Sequence, residues 1–227
     1  MTLLAGTRET FADGLIYAPG YLDPAAQEAL LAEIEAVIAE APLFRPQMPK
    51  TGKPFSVEMT NCGALGWASD RAGYRYQATH PETGRPWPPI PALALRAWSE
   101  LGEYPHPPEA CLVNSYCPDA RMGLHQDRDE EDFAAPVVSL SLGASCLFRW
   151  GGAARGGKTQ SLILASGDAL VLAGKARLAY HGVARILPGT SERLSERLLE
   201  RLGGARINLT LRRVTKPSAS PDGFATK

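Results

Sequence analysis

The sequence predicts a mainly β domain with flanking helices, an α+β chain built around an antiparallel sandwich or barrel. Three observations predict it. Beyond Pro108, short apolar runs bounded by Gly, Pro or Asp follow one another at close spacing with no helix between them until residue 189. The last run, Arg206–Val214, alternates Arg206, Asn208, Thr210 and Arg212 with Ile207, Leu209 and Leu211, so a strand there would show a polar face and an apolar face. Helical periodicity is confined to the segments that flank these runs.

The first element is a helix from about Pro24 to Ala41. Asp23 is a suitable N-cap, Pro24 occupies the first helical position, and Leu30, Ile34, Val37, Ile38 and Ala41 keep helical spacing until Pro42 stops the run. From Leu43 to Pro91 the chain is rich in Pro, Gly and aromatics, which predicts hairpins and loops held down by Trp67, Tyr74, Tyr76 and Trp87 rather than a linker. A short helix over about Pro91–Leu101 follows. The strands are then Cys111–Tyr116, Val137–Leu142, Cys146–Trp150, Ser161–Leu164, Ala169–Leu172, Tyr180–Ile186 and Arg206–Val214. Between the last two, Leu194, Leu198 and Leu202 make a single stripe, so Gly189–Gly204 reads as a surface helix. The segment 214–227 has the low hydrophobicity of a disordered tail. The expected organisation is one domain over 1–213, with an N-terminal helix and lid at about 13–90 and a core at about 91–213.

The composition is ordinary for a globular chain: 227 residues, 44% hydrophobic, 21% charged, with 24 basic and 24 acidic side chains. It excludes disordered, collagenous and coiled-coil classes. No run reaches the ~18–20 apolar residues of a membrane span, and the N-terminus lacks the basic and apolar regions of a signal peptide. Cys62, Cys111, Cys117 and Cys146 show neither a CxxC pair nor zinc spacing, which suits reduced thiols in the cytoplasm. Charge is uneven. Residues 43–86 carry six basic and three acidic side chains, and residues 145–186 carry six basic and one acidic; residues 100–132 reverse this, with nine acidic and two basic. The basic segments, brought together, would form a surface able to hold phosphates.

Only four histidines exist, His80, His106, His125 and His181. His125-Gln126-Asp127 places two ligand-type side chains on one side of an extended segment, and His181 follows on a later strand. Two imidazoles and one carboxylate suit a non-haem Fe(II) site, because three facial ligands leave positions open for co-substrate and oxygen. Arg206 and Arg212 share one strand face with Asn208, and two inward arginines need anions, such as the ends of a dicarboxylate.

These residues resemble the AlkB-type Fe(II)/2-oxoglutarate dioxygenases that repair alkylated nucleic-acid bases. The resemblance runs from about Leu22 to Arg213. It is carried by SVEMTNCGALGW (Ser56–Trp67), GYRY (Gly73–Tyr76), CLVNSYCPDARMGLHQDRDE (Cys111–Glu130) with its NxY and HxD motifs, SLSLG (Ser139–Gly143), and RINLTLRR (Arg206–Arg213) with an RxNxTxR motif. It implies a double-stranded β-helix (jelly roll) core under an N-terminal nucleotide-recognition lid. His125, Asp127 and His181 would be the catalytic Fe(II) ligands. Asn114, Tyr116, Arg206, Asn208 and Arg212 would bind 2-oxoglutarate, with O2 as the second co-substrate. Trp67, Tyr74, Tyr76, Asp129 and Arg155 would contact the substrate. Leu172 stands where relatives often place an aromatic beside the pocket.

The implied function is DNA repair: oxidative demethylation of 1-methyladenine- and 3-methylcytosine-type bases in single-stranded DNA, with duplex DNA and RNA as further candidate substrates. 2-Oxoglutarate would be decarboxylated to succinate and the methyl group released as formaldehyde. The target base must be flipped out or presented on a single strand to reach such a centre. The expected enzyme is a cytoplasmic monomer with no membrane partner. The alternatives are a 2-oxoglutarate oxygenase acting on tRNA, protein or a small molecule, and a non-catalytic nucleic-acid-binding relative.

Overall fold

A computed structural model describes residues 8–11, 14–187, 189–190 and 204–217. Strands β1 (Glu9–Thr10) and β2 (Leu15–Ala18) precede helix α1 (Pro24–Glu40). Three strands follow, β3 (Glu58–Gly63), β4 (Gly66–Asp70) and β5 (Gly73–Gln77), and then helix α2 (Ala92–Leu101). The rest is β6 (Ala110–Tyr116), β7 (Met122–His125), β8 (Val137–Gly143), β9 (Ser145–Gly151), β10 (Thr159–Leu164), β11 (Ala169–Leu172), a 3-10 turn (Gly174–Leu178), β12 (His181–Leu187) and β13 (Arg206–Arg212).

Two antiparallel sheets face each other, a seven-stranded one in the order β1-β2-β11-β8-β13-β6-β3 and a four-stranded one in the order β10-β9-β12-β7. Strands β4 and β5 form a separate hairpin. This is the jelly-roll architecture that the sequence implies.

The alternation read in the last strand decides which side does what. Ile207, Leu209 and Leu211 join Val113, Val138 and Leu140 on one face of the large sheet, where they pack on Leu30, Ile34 and Val37 of α1 and on Ala97, Trp98 and Leu101 of α2. Arg206, Asn208, Thr210 and Arg212 point the other way, into the cavity between the sheets. Leu112, Val137, Leu170 and Leu172 alternate to that same inner side, where they belong to a second apolar cluster with Phe148, Trp150 and Val183 of the small sheet. The helices therefore cover the back of the large sheet and leave its front free for chemistry. Helix α1 begins as its sequence dictates, with the Asp23 carboxylate accepting the Ala26 N–H at 2.7 Å ahead of Pro24.

The Pro- and Gly-rich segment contains more regular structure than the sequence predicts. It contributes β3 to the large sheet and forms the β4–β5 hairpin. Strand β7, just ahead of the HxD motif, was also absent from the expected strands because its four residues, MGLH, show no alternation. Trp87 anchors the segment as expected, buried against Phe44 and His80. The helix expected over Gly189–Gly204 lies almost entirely outside the described residues. The segment expected as a tail from 214 starts out anchored: Val214 is buried, and the Glu109 carboxylate accepts the N–H groups of Val214 and Thr215. Residues 218–227 lie outside the described residues. Among the described residues, no helix is long and apolar enough to cross a membrane.

Candidate active site

The site is built where β7 and β12 pair. His125 ends β7, His181 begins β12, and the two are directly opposite in the ladder. Their rings lie 4.6 Å apart between centroids. Asp127, two residues past the end of β7, turns its carboxylate in between them: Oδ1 is 3.7 Å from His125 Nε2 and Oδ2 is 3.8 Å from His181 Nε2. The three ligand atoms all lie within 4.8 Å of one another. Close strand approach makes this possible. A side chain at Gly182 would bring its Cβ within 2.5 Å of the Met122 carbonyl oxygen and 2.7 Å of that of Gly123.

The protonation states follow from the surroundings. His125 Nδ1–H donates to the Gly123 carbonyl at 2.9 Å, and His181 Nδ1–H to that of Ala179 at 3.0 Å. A carbonyl only accepts, so each Nδ1 carries a proton and each Nε2 is the atom turned to the centre. Burial lowers the His181 pKa to about 4, which keeps the imidazole neutral. For Asp127, burial pulls the pKa upward, but Arg212 and the surrounding imidazoles and Arg177 outweigh it and hold the carboxyl well below the usual range. An ionised carboxylate and a neutral imidazole are the ligating forms.

The residues expected to hold 2-oxoglutarate lie deeper. Arg206 is buried, with Nη2 donating to Ser141 Oγ at 2.8 Å and Nη1 to the Ala144 carbonyl at 3.4 Å. Its Nε has no hydrogen-bond partner, and neither does Asn114 Oδ1 on the neighbouring strand; among the described residues no carboxylate pairs with Arg206. Tyr116 sits opposite Arg206 in the ladder, and burial raises its pKa, so its hydroxyl stays protonated. Asn208 is oriented by the Ser139 hydroxyl and the Leu140 carbonyl. A fully buried guanidinium without an anion is costly, and unsatisfied polar atoms beside it mark a place where a ligand completes the bonding. Arg206, which no carboxylate meets among the described residues, is suited to one end of a dicarboxylate.

Arg212 departs in part from its expected place. Its Nη2 donates to Asp127 Oδ2 at 3.0 Å and its Nη1 to the Tyr76 hydroxyl at 3.1 Å, so it stands at the metal end and steadies the carboxylate ligand. Tyr76 departs further. Expected as a face for the substrate, it is absent from the cavity wall and instead sends its hydroxyl inward to Glu130 Oε1 at 2.5 Å. The reason is electrostatic: Glu130 and Arg212 offer the phenol an acceptor and a donor at once.

Trp67, Tyr74, Asp129 and Arg155 do line the cavity, at its mouth. Trp67 and Tyr74 are stacked with ring centroids 5.6 Å apart and planes 20° apart. The Trp67 indole N–H donates to Asp129 Oδ2 at 2.7 Å. Arg155, in the β9–β10 hairpin, lies over the Tyr180 ring at 5.9 Å. Arg75, on the β4–β5 hairpin, is bound by both oxygens of Asp70, at 3.1 and 2.8 Å. The cavity measures about 420 Å³ and runs from this aromatic rim to the apolar wall at Leu164, Leu170 and Leu172.

Glu130 and Arg177 were missed in the sequence. Glu130 lies in an acidic run that reads as solvated surface, and Arg177 in a short polar turn. Both are buried and bridged, Arg177 Nη2 to Glu130 Oε2 at 3.2 Å.

The donor set fits Fe(II): two imidazoles, one carboxylate and open space toward the cavity. Comparison with known proteins agrees. Residues 14–212 match the 2OG-Fe(II) oxygenase superfamily. The chain is 54% identical over 195 residues to the alpha-ketoglutarate-dependent dioxygenase AlkB homolog of Caulobacter vibrioides, covering 86% of this chain and 85% of that one. It is 42% identical over 168 residues to the alpha-ketoglutarate-dependent dioxygenase AlkB of Escherichia coli, covering 72% and 77%. The solved structure of OsALKBH1 superposes with a TM-score of 0.75 at 28% identity, covering 91% of this chain and all (100%) of that one. With its His125, Asp127 and His181 cluster and its match over most of its length, the chain belongs to the 2OG-Fe(II) oxygenase superfamily and is an AlkB-type dioxygenase that uses Fe(II), 2-oxoglutarate and O2.

Proposed function

We propose that this enzyme removes N-linked methyl groups from 1-methyladenine- and 3-methylcytosine-type bases in single-stranded DNA. Methyl base, 2-oxoglutarate and O2 would yield repaired base, formaldehyde, succinate and CO2. One observation carries the reading: a stacked Trp67–Tyr74 pair, tied to Asp129, stands at the mouth of the cavity that holds His125, Asp127 and His181. An aromatic face stacks on any base, worth ~1–3 kcal/mol, and a carboxylate beside it favours a ring-methylated base, which is cationic, over its neutral parent.

The bound metal would supply oxidation of an unactivated methyl C–H bond. The residues of the chain supply the aim. Arg206 and Tyr116 would hold the far carboxylate of 2-oxoglutarate, while Arg212, Asn114 and Asn208 would orient its metal-proximal end. Asp129 would accept a hydrogen bond from the exocyclic amine of the flipped base. Arg155 would meet the strand at the rim.

RNA is the second reading. Over 37% of this chain, a relative in Schizosaccharomyces pombe is named a tRNA demethylase, and over 46% of it one in Arabidopsis thaliana is named a DNA N(6)-methyladenine demethylase. A mass-spectrometric screen of methylated DNA and RNA oligonucleotides with Fe(II), ascorbate and 2-oxoglutarate tests both. Faster loss of methyl from single-stranded DNA than from RNA is expected; the reverse order would move the assignment to RNA.

A further inference from the structure

We propose that Arg177, which none of the presumed ligand roles includes, is a positioning residue that locks the two halves of the metal triad together. The proposal requires only that His125, Asp127 and His181 bind the metal. It is independent of which base is repaired.

The observation is a closed ring of bonds around Asp127. Arg212 holds its carboxylate through Nη2 at 3.0 Å. On the other side of the residue, Arg177 Nη1 donates to the Asp127 backbone carbonyl at 2.9 Å. The same guanidinium donates from Nε to the Ala135 carbonyl at 2.8 Å and from Nη2 to Glu130 Oε2 at 3.2 Å. Glu130 then returns to Arg212 through its other oxygen, at 3.5 Å from Nε, and through the Tyr76 hydroxyl.

The ring matters because of where Arg177 sits. It belongs to the 3-10 turn at Gly174–Leu178, directly ahead of His181. Residue Ala179 accepts the His181 Nδ1–H, and the Leu178 carbonyl accepts from Gln126 Nε2 at 2.5 Å. Three successive residues, Arg177, Leu178 and Ala179, thus bind Asp127, its neighbour Gln126 and His181. The HxD loop and the distant histidine share one buckle, closed by a guanidinium that is 2% exposed.

Arginine is the side chain that fits. Its planar fork reaches three acceptors from three separate nitrogens, whereas a lysine carries all its donors on one nitrogen. Groups that orient metal ligands typically contribute 10–100-fold to metal affinity or activity.

The test is Mn(II) binding to the metal-free protein, followed by electron paramagnetic resonance of free Mn(II), well below the melting temperature of each variant. Arg177→Met should weaken Mn(II) by 10–100-fold. Arg177→Lys, which keeps the charge against Glu130, should recover part of that loss. At saturating metal, the KM for 2-oxoglutarate should stay within threefold of wild type, because Arg206 and Tyr116 are untouched. Lowered melting temperature with wild-type Mn(II) affinity would make Arg177 purely structural and overturn the proposal. If Arg177→Met does not fold, Arg177→Lys decides alone: a several-fold loss supports the proposal and wild-type affinity overturns it. Absence of Mn(II) binding by the wild type would overturn the triad itself.

Discussion

The indole N–H of Trp67 donates to the Asp129 carboxylate at 2.7 Å, joining the β4–β5 hairpin to the loop after β7, which carries Asp127, across 62 positions of sequence. The two residues are therefore one device. The bond orients the indole plane, which already stacks on Tyr74, and it fixes the Oδ2 edge of the carboxylate.

Asp129→Ala and Trp67→Ala should each lower turnover of a methylated oligonucleotide while leaving slow, substrate-free 2-oxoglutarate consumption largely intact. A hydrogen bond to a charged group contributes about 1.5–3 kcal/mol, so a loss of roughly 10–100-fold is expected. Trp67→Phe separates the parts: it keeps a stacking ring and removes the donor, so its defect should be smaller than that of Trp67→Ala. Formaldehyde release against succinate formation measures both.

Replacing Arg206 by Lys keeps the charge but loses the planar fork. The KM for 2-oxoglutarate should rise by about tenfold, the effect of losing ~1.4 kcal/mol of binding, with little change in metal affinity. An unchanged KM would remove Arg206 from the co-substrate site.

Gly182→Ala probes the strand approach that brings His125 and His181 together. The added Cβ would come within 2.5 Å of a backbone oxygen of β7, which cannot yield as a flexible side chain does. Overpacking of this kind costs about 1–3 kcal/mol, and a chain of this size loses ~2–4 °C in Tm per kcal/mol. Thermal unfolding should show that loss, together with weaker metal binding.

Much of this site is legible from residue spacing. The alternation in β13 identifies Arg206, Asn208 and Arg212 as inward, and the ladder confirms it by placing Asn208 opposite Asn114 and Arg206 opposite Tyr116. The HxD dipeptide and a lone later histidine mark the metal cluster. What stays hidden is pairing between side chains far apart in sequence. Glu130 stands in the charged run DRDEED, which beyond Asp127 suggests solvent, yet it is buried because Arg177 and Arg212 converge on it. Tyr76 follows Tyr74 two positions on along β5, on the same face and like a second exposed ring, yet its hydroxyl finds a buried partner 54 positions away. No local pattern contains either fact.

Binding of an undamaged single-stranded oligonucleotide should weaken as salt rises, since phosphate contacts release counterions. Arg155→Ala should shift affinity and flatten that slope, because Arg155 sits exposed at the cavity mouth over the Tyr180 ring. Fluorescence anisotropy across a salt series measures it; an unchanged slope would place Arg155 off the strand.

The central claim is that an Fe(II)/2-oxoglutarate centre in this cavity repairs methylated bases. The most direct measurement is mass spectrometry of a single-stranded oligonucleotide carrying one 3-methylcytosine, incubated with enzyme, Fe(II) and 2-oxoglutarate in air. The account predicts conversion to the cytosine oligonucleotide with one formaldehyde and at least one succinate per base repaired, and no conversion by His181→Ala or without 2-oxoglutarate. Succinate formation with the methyl group left in place on this and every other methylated DNA or RNA oligonucleotide would contradict it.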